Sequence, residues 1–303
     1  MERRQVTVRV PATTGNLGPG FDCLGMALDW WNDVRMDVSP SLEIRILGEG
    51  ADTLSTTEDN LVFRAAQALF REAREDPPTL SILCKNRIPL ARGLGSSAAA
   101  IVGGIMAANT LCSRPLAQQS LLQLAARLEG HADNVAPALF GSCQVVAQDE
   151  DKIISDTVLL PPDLMAVVFV PDVPMATQEA RAILPGMVSR EDVVYNLGRV
   201  ALLVNALSTR RFENLRVATQ DRLHQPAREK MFPAMKHIFR AAQDAGALGV
   251  FLSGGGSSVL ALATSSAITI GREMSDAAGK AGVSGSLKIV RLSSLGAHVV
   301  STE

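Results

Sequence analysis

The chain has 303 residues, 47% hydrophobic and 20% charged, with a formal net charge of −2; this bounds it to about two globular domains with ample core. Such a near-neutral balance offers no bulk field to nucleic acid or to an anionic membrane, and no apolar run approaches the ~18 residues of a membrane span. Met1-Glu-Arg-Arg is not followed by the apolar region of a secretory leader. The cysteines, Cys23, Cys84, Cys112 and Cys143, are scattered without a Cys-x-x-Cys pair, which predicts buried thiols in a cytoplasmic protein and neither a zinc site nor a disulfide frame. His131, His224, His237 and His298 are too dispersed for a metal cluster.

Alternating apolar residues predict strands at Val6-Val8-Val10, Val34-Met36-Val38 and Leu42-Ile44-Ile46. Pro11 to Gly25 is too rich in Gly and Pro for a regular element. Asn60 to Glu72 has helical spacing (Leu61, Ala65, Ala68, Leu69), Thr79 to Cys84 reads as a strand, and Ser96 to Leu111 and Leu116 to Leu128 read as helices, the latter just after Pro115. Strands follow at Gly141–Ala147 and Ile153–Leu160, and Pro161-Pro162 marks a boundary between residues 1–160 and 161–303. The second half then predicts a strand (Leu164–Val170), helices (Val193–Leu207 and Met231–Ala245), a hairpin about Gly254-Gly-Gly256, a helix (Ile268–Ala281) and a strand (Leu287–Leu292). Hairpins mixed with helix pairs point to an α+β fold and away from a doubly wound parallel sheet.

The segment Pro89-Leu-Ala-Arg-Gly-Leu-Gly-Ser-Ser-Ala-Ala-Ala100 lies in a stretch without Asp or Glu from Pro77 to Leu128. A glycine turn and two hydroxyls ahead of a helix-forming run place free N–H groups and a partial positive charge where a phosphate can bind. No Gly-Lys-Ser/Thr closes it, so it is not a Walker loop. Gly93-x-Gly95-x-x-Ala98 fits the loose dinucleotide pattern, but the acid expected about 20 residues on to hold a ribose is missing. A turn before a small-residue helix packed in the core explains the same letters.

Four segments stand in order: Pro11–Gly25, Pro89–Ala100, Glu129-Gly-His-Ala-Asp-Asn-Val-Ala-Pro-Ala138 and Phe251-Leu-Ser-Gly-Gly-Gly-Ser-Ser258. Together they resemble the GHMP kinases. Asn16…Gly20-Phe-Asp22, Gly130-His-x-Asp-Asn-Val-Ala-Pro137, Thr177…Ala180-Arg181 and Asp221…His224-Gln-Pro…Arg228 narrow the likeness to the homoserine branch. The resemblance implies an N-terminal ribosomal-protein-S5-like domain, a C-terminal ferredoxin-like domain, a site between them, and a homodimer. It also implies ATP, Mg2+ and L-homoserine as reactants, the product being O-phospho-L-homoserine.

By that resemblance the ATP site comprises Pro89, Leu90, Ala91, Arg92, Gly93, Leu94, Gly95, Ser96, Ser97, Ala98 and Ala99, with Asn60, Leu61 and Val62 in the adenine pocket. Ser97 and Glu129 are the implied magnesium ligands, a hydroxyl and a carboxylate being the hard donors this ion prefers. An amino-acid substrate needs an anion for its ammonium, which Asp22 and Asn16 suit, and guanidinium forks for its carboxylate, which Arg181 and Arg228 suit. His131, Thr177 and Gly255 complete the implied substrate contacts. Asp133 and Asn134 carry the mechanistic question. Asp133 is either a general base or the partner of the ammonium while Asn134 orients the hydroxyl; the second reading is preferred because a carboxylate paired with a cation is a poor base. The chain departs from the resemblance at Ser253-Gly-Gly-Gly-Ser-Ser258, where a proline is usual, and a looser loop is expected there. Another GHMP small-molecule kinase, a non-catalytic binding relative and, distantly, a dinucleotide oxidoreductase are the alternative readings.

Overall fold

The computed structural model describes residues 4–302; residues 1–3, part of the N-terminal run read above, and residue 303 lie outside the described residues. In chain order the first half contains β1 (Gln5–Gly15), β2 (Leu24–Val38), β3 (Glu43–Gly48), α1 (Leu61–Ala73), β4 (Leu80–Asn86), α2 (Ser96–Leu111), α3 (Gln118–Glu129), α4 (Val135–Phe140), β5 (Cys143–Asp149) and β6 (Lys152–Val158). The second contains β7 (Met165–Pro171), α5 (Thr177–Ala182), α6 (Arg190–Thr209), α7 (Leu215–Ala218), α8 (Gln225–Glu229) and α9 (Met235–Asp244). It ends with β8 (Gly249–Leu252), β9 (Val259–Ala263), α10 (Ala267–Lys280), β10 (Gly285–Arg291) and β11 (His298–Thr302).

The strands form two sheets. The first has the order β11-β1-β2-β4-β3, with β5 and then β6 added beside the start of β2. The second is antiparallel in the order β10-β7-β9-β8. With helices between β7 and β8 and between β9 and β10, that order is the β-α-β-β-α-β pattern of a ferredoxin-like layer. The final strand, β11, leaves its neighbours in sequence and pairs with β1 in the first sheet.

The stretch Pro11–Gly25 is more regular than its composition predicts. β1 runs through Pro11 to Gly15 and β2 begins at Leu24, leaving only residues 16–23 irregular. Pro11 is tolerated because the register with β2 shifts between Pro11 and Ala12, and an irregular position needs no ladder donor there. Met231–Ala245 is likewise shorter than its periodicity: α9 starts at Met235, beyond Pro233.

Helix α2 is apolar all round and buried along most of its length. Gly104 lets it approach α1 closely, since a Cβ there would meet the Val62 carbonyl oxygen at 2.4 Å. In the second sheet, Ala166, Val168 and Val170 of β7 join one core cluster while Val167 and Phe169 join another. That period-two split explains why β7 and β9 read as unbroken apolar runs: both faces of this sheet are covered. The loops between the two layers meet at the start of α2.

Candidate active site

Helix α2 opens with Gly95 at its N-cap, in the left-handed region at φ 68°, and without a side-chain cap. The amide of Ala99 already donates to the Gly95 carbonyl, so the free first-turn amides are those of Ser96, Ser97 and Ala98. Gly93, at φ 71°, lies so close to the Ser253–Ser258 turn that a Cβ would meet the Ser253 carbonyl oxygen at 2.0 Å. Gly95 lies equally close to Thr13, whose Oγ1 a Cβ would meet at 1.9 Å. The glycines therefore permit contact between the loop and its two neighbours as well as open space above it.

One cleft over this turn is lined by Asn16, Phe21, Asp22, Ala91, Gly93–Ser97, Glu129, His131, Asp133, Asn134, Thr177, Arg181, Arg228, Gly254 and Gly255. A second cavity of about 310 Å³ shares Ser96 and Ser97 with it and is lined by Asn60, Leu61, Val62, Leu90 and Ala100, with Asn32, Ile46, Leu54, Ser55, Asp59, Cys84 and Asn86. Asn60 contributes shape more than free polar groups. Its Oδ1 accepts from the Val62 and Phe63 amides, capping α1, and its Nδ2 donates to the Ser55 carbonyl.

Ser97 Oγ donates to Glu129 Oε2 at 2.6 Å. Glu129 is the last residue of α3, the end where the helix dipole disfavours an anion, and its side chain is only 10% exposed. Burial pushes its carboxyl upward despite the Ser97 hydrogen bond. A carboxylate held against both burial and dipole beside phosphate-directed amides suits a hard divalent cation that shares its shell with phosphate oxygens.

His131 Nδ1–H donates to Asp133 Oδ1 at 2.7 Å. Burial disfavours the charged ring, but the Asp133 hydrogen bond and the charges of Asp133 and Glu129 prevail and raise its pKa. Asn134 is turned by Thr13, whose hydroxyl donates to Asn134 Oδ1 at 2.9 Å, so Nδ2 is left to face the cleft. Across from them, Arg181 donates to both carboxylate oxygens of Asp22, at 2.6 and 2.9 Å.

Arg228 differs from Arg181. It is 2% exposed, yet its partners are all neutral: the Ala180 carbonyl, the Gly254 carbonyl and His224 Nδ1. Burial and the neighbouring Arg181 charge push it down to about 10, still cationic at neutral pH. A buried guanidinium without a carboxylate is costly unless an anion completes it.

Residues 60–142 match the GHMP kinases N terminal domain and residues 203–281 the GHMP kinases C terminal family. The homoserine kinase of Moorella thermoacetica is 43% identical over 293 residues, 97% of this chain and 99% of that protein. That of Desulfitobacterium hafniense is 42% identical over 296 residues, 97% and 100% of the two. The crystal structure of homoserine kinase from Cytophaga hutchinsonii superposes with a TM-score of 0.90 at 30% identity, covering 99% of this chain and 98% of that one. The chain belongs to the homoserine kinases of the GHMP kinase family.

The two sheets are accordingly the S5-like and ferredoxin-like layers of a GHMP kinase. Of the residues expected for the ATP site, Pro89, Arg92, Ala98 and Ala99 line neither cavity. Arg92 does not face the cleft: its guanidinium is spent on the carbonyls of Leu90, Pro171 and Asp172, strapping the loop before α2 to the end of β7. The Ala99 amide is taken by the Gly95 carbonyl, whereas that of Ala98 stays free in the first turn. The Gly254–Ser257 turn, expected to be loose, is tied down by Gly254 N–H to the Gly15 carbonyl, by Ser253 Oγ to the Gly93 carbonyl, and by Ser257 Oγ to the Val173 carbonyl. A hydroxyl makes that last bond where a proline has no donor.

Thr13, Phe21, Gly254 and His224 are site residues the sequence reading passed over. Thr13 sat inside a run read as irregular, and no spacing rule singles out a threonine on a strand. His224 stands in the motif that narrows the likeness to the homoserine branch, where nothing gives it a role of its own. Among the described residues no helix is long and apolar enough to cross a membrane.

Proposed function

We propose that this chain transfers the γ-phosphoryl group of ATP to the side-chain hydroxyl of L-homoserine, giving O-phospho-L-homoserine and ADP. The observation that carries this reading is Arg228, a buried cation without an acidic partner, opposite Asp22 and Asn16 in a cleft that opens on free helix amides. A sugar or a simple alcohol has no use for such a charge pattern; an amino acid with a terminal hydroxyl does.

The amides of Ser96, Ser97 and Ala98 and the α2 dipole hold the phosphates, while the cavity about Leu61, Val62 and Ala100 takes the base. Ser97 and Glu129 would hold Mg2+, which when bound neutralises phosphate charge during transfer. Arg228 takes the carboxylate through its Nη2 group, with Arg181 beside it; Asp22, Asn16 Oδ1 and Asp133 surround the ammonium. Asn134 Nδ2 donates to the hydroxyl oxygen and aligns it with the phosphorus, because Thr13 has fixed which end of the amide faces the cleft. As the new O–P bond forms and the β–γ bridge breaks, the hydroxyl proton passes to a phosphoryl oxygen. No strong base is required in a loose transition state.

An ADP-release assay against homoserine, mevalonate, galactose and shikimate tests the reading. Turnover is expected with homoserine alone. Silence with homoserine and turnover of one of the others would replace it with a different alcohol kinase.

A further inference from the structure

His224 is 0% exposed and has both ring nitrogens committed. Nε2 lies 2.7 Å from the Gly18 carbonyl oxygen and Nδ1 lies 2.8 Å from Arg228 Nη1. A carbonyl only accepts and a guanidinium only donates, so the ring is neutral with its proton on Nε2. Its tautomer is fixed by its neighbours, and the direction of its pKa agrees: burial, against the charge of the buried Asp221 carboxylate 3.7 Å from Nε2 and with that of Arg228, lowers it to about 4. The ring also stacks at a tilt on Phe21, centroids 5.4 Å apart, whose own face has Arg181 and Arg228 at 5.5 and 5.6 Å.

The donors of Arg228 can be followed one by one. Nε–H goes to the Ala180 carbonyl at 3.2 Å, and the two Nη1 hydrogens go to the Gly254 carbonyl at 3.0 Å and to His224 at 2.8 Å. Nη2 has no hydrogen-bond partner among the described residues, and Arg228 lines the cleft. The surroundings thus saturate one side of a planar fork and leave a single amino group for a ligand. Nothing but His224 supplies the third saturating acceptor. Its other nitrogen is anchored on Gly18, in the same loop that carries Phe21 and Asp22.

We propose that His224 is a positioning residue for substrate: as a neutral acceptor it holds the Arg228 guanidinium in the one orientation that points Nη2 at the substrate carboxylate, and it ties that orientation to the Asn16–Asp22 loop that receives the ammonium. The spacing between the two charge-recognising ends of the cleft is then set by one imidazole. The inference rests on the reading of the site as an amino-acid kinase.

Two substitutions separate the two nitrogens. Asparagine places an acceptor near Nδ1 and keeps the Arg228 contact; glutamine reaches toward Gly18 and leaves Arg228 Nη1 without its acceptor. His224→Gln is expected to raise the KM for homoserine about tenfold, as for loss of a hydrogen bond to a charged group, with the KM for ATP within about twofold. His224→Asn is expected to stay within about threefold of wild type on both. In an Arg228→Ala background, His224→Gln should add no further change to the homoserine KM, because the residue it positions is gone. Thermal unfolding of each variant reports folding separately. The positioning role is overturned if both KM values rise together, if the Asn variant loses homoserine affinity as the Gln variant does, or if the effects of His224→Gln and Arg228→Ala add. Absence of homoserine turnover by the wild-type protein is a different failure: it removes the kinase reading itself.

Discussion

Arg181 on α5 and Asp22 in the loop before β2 grip each other through two parallel hydrogen bonds, although the function proposed above gives one a carboxylate to bind and the other an ammonium. The pair is about one-third exposed, so it is worth only about 1 kcal/mol. A zwitterion can replace it at no net loss of ion pairs, its carboxylate moving onto Arg181 and its ammonium onto Asp22. A ligand with only one of those charges must leave a partner stranded. Asp22→Asn is therefore expected to narrow the preference for homoserine over 4-hydroxybutyrate about fivefold or more, read as the ratio of kcat/KM values. An unchanged ratio would refute the exchange.

Gly93 permits the phosphate loop to touch the Ser253–Ser258 turn. Gly93→Ala combines a left-handed backbone with a direct collision against the Ser253 carbonyl, and is expected to cost about 1–3 kcal/mol and to raise the KM for ATP. Gly246→Ala is the control: it has φ 96° but nothing within 4 Å of the added carbon, and should lower Tm less while leaving the KM for ATP alone. Equal losses in Tm would show that strain, not contact, dominates at Gly93.

Thr13 lines neither cavity, yet its hydroxyl donates to Asn134 Oδ1 and so sets which end of that amide is left for the cleft. Thr13→Val keeps the shape and removes the hydroxyl. We expect kcat to fall about tenfold, with the KM for ATP and the thermal midpoint nearly unchanged. A fully active, folded valine variant would remove Asn134 from the alignment of the hydroxyl.

Glu129 sits at the wrong end of a helix for an anion and is mostly buried. Glu129→Gln keeps an acceptor for Ser97 and relieves the charge. In the absence of nucleotide and metal, the variant is expected to be more stable by about 0.3–1 kcal/mol, while its turnover collapses and its Mg2+ requirement rises. A variant that is both less stable and fully active would contradict the placement of the cation.

His224 gives the stability a pH slope. Its folded pKa of about 4 lies below the ordinary 6.5, so between those values the unfolded chain binds the extra proton and stability falls as pH falls. The loss is complete below about pH 4; the buried Asp221 carboxylate, 3.7 Å from Nε2, opposes the shift without reversing it. Asparagine at this position does not titrate. Urea unfolding of wild type and His224→Asn at pH 7, 6, 5 and 4 should show the wild type losing the larger share; parallel curves would exclude a neutral buried imidazole.

Helix α2 was legible to the residue because the glycine turn, the hydroxyls and the alanine run agree on one boundary. The same letters also fitted close core packing, and both readings hold at once: Gly104 packs on α1 while the first turn stays free. Helices α4 and α5 were missed because six residues are too few to display a period. The extent of β1 and β2 was missed because proline and glycine were counted without knowing that the ladder is irregular at Pro11. In the candidate site, acids, arginines and glycines could be picked out by type, but type alone did not tell Arg228, which lines the cleft, from Arg92, whose guanidinium is spent on carbonyls. Residues that act by turning a neighbour, such as Thr13 and His224, carry no local pattern, since their partners Asn134 and Gly18 are brought to them only by the fold.

Strand β11 pairs Val6 with Thr302 and Arg9 with His298, so the strand that carries Thr13 toward the cleft is held along its outer edge by a segment far away in the chain. In folding, the outer edge of β1 stays unpaired until these distant segments meet, a contact of very long range and therefore slow to close. Until then that edge is a row of unsatisfied backbone groups, so the strand that shapes the cleft is also the place where two partly folded copies would pair.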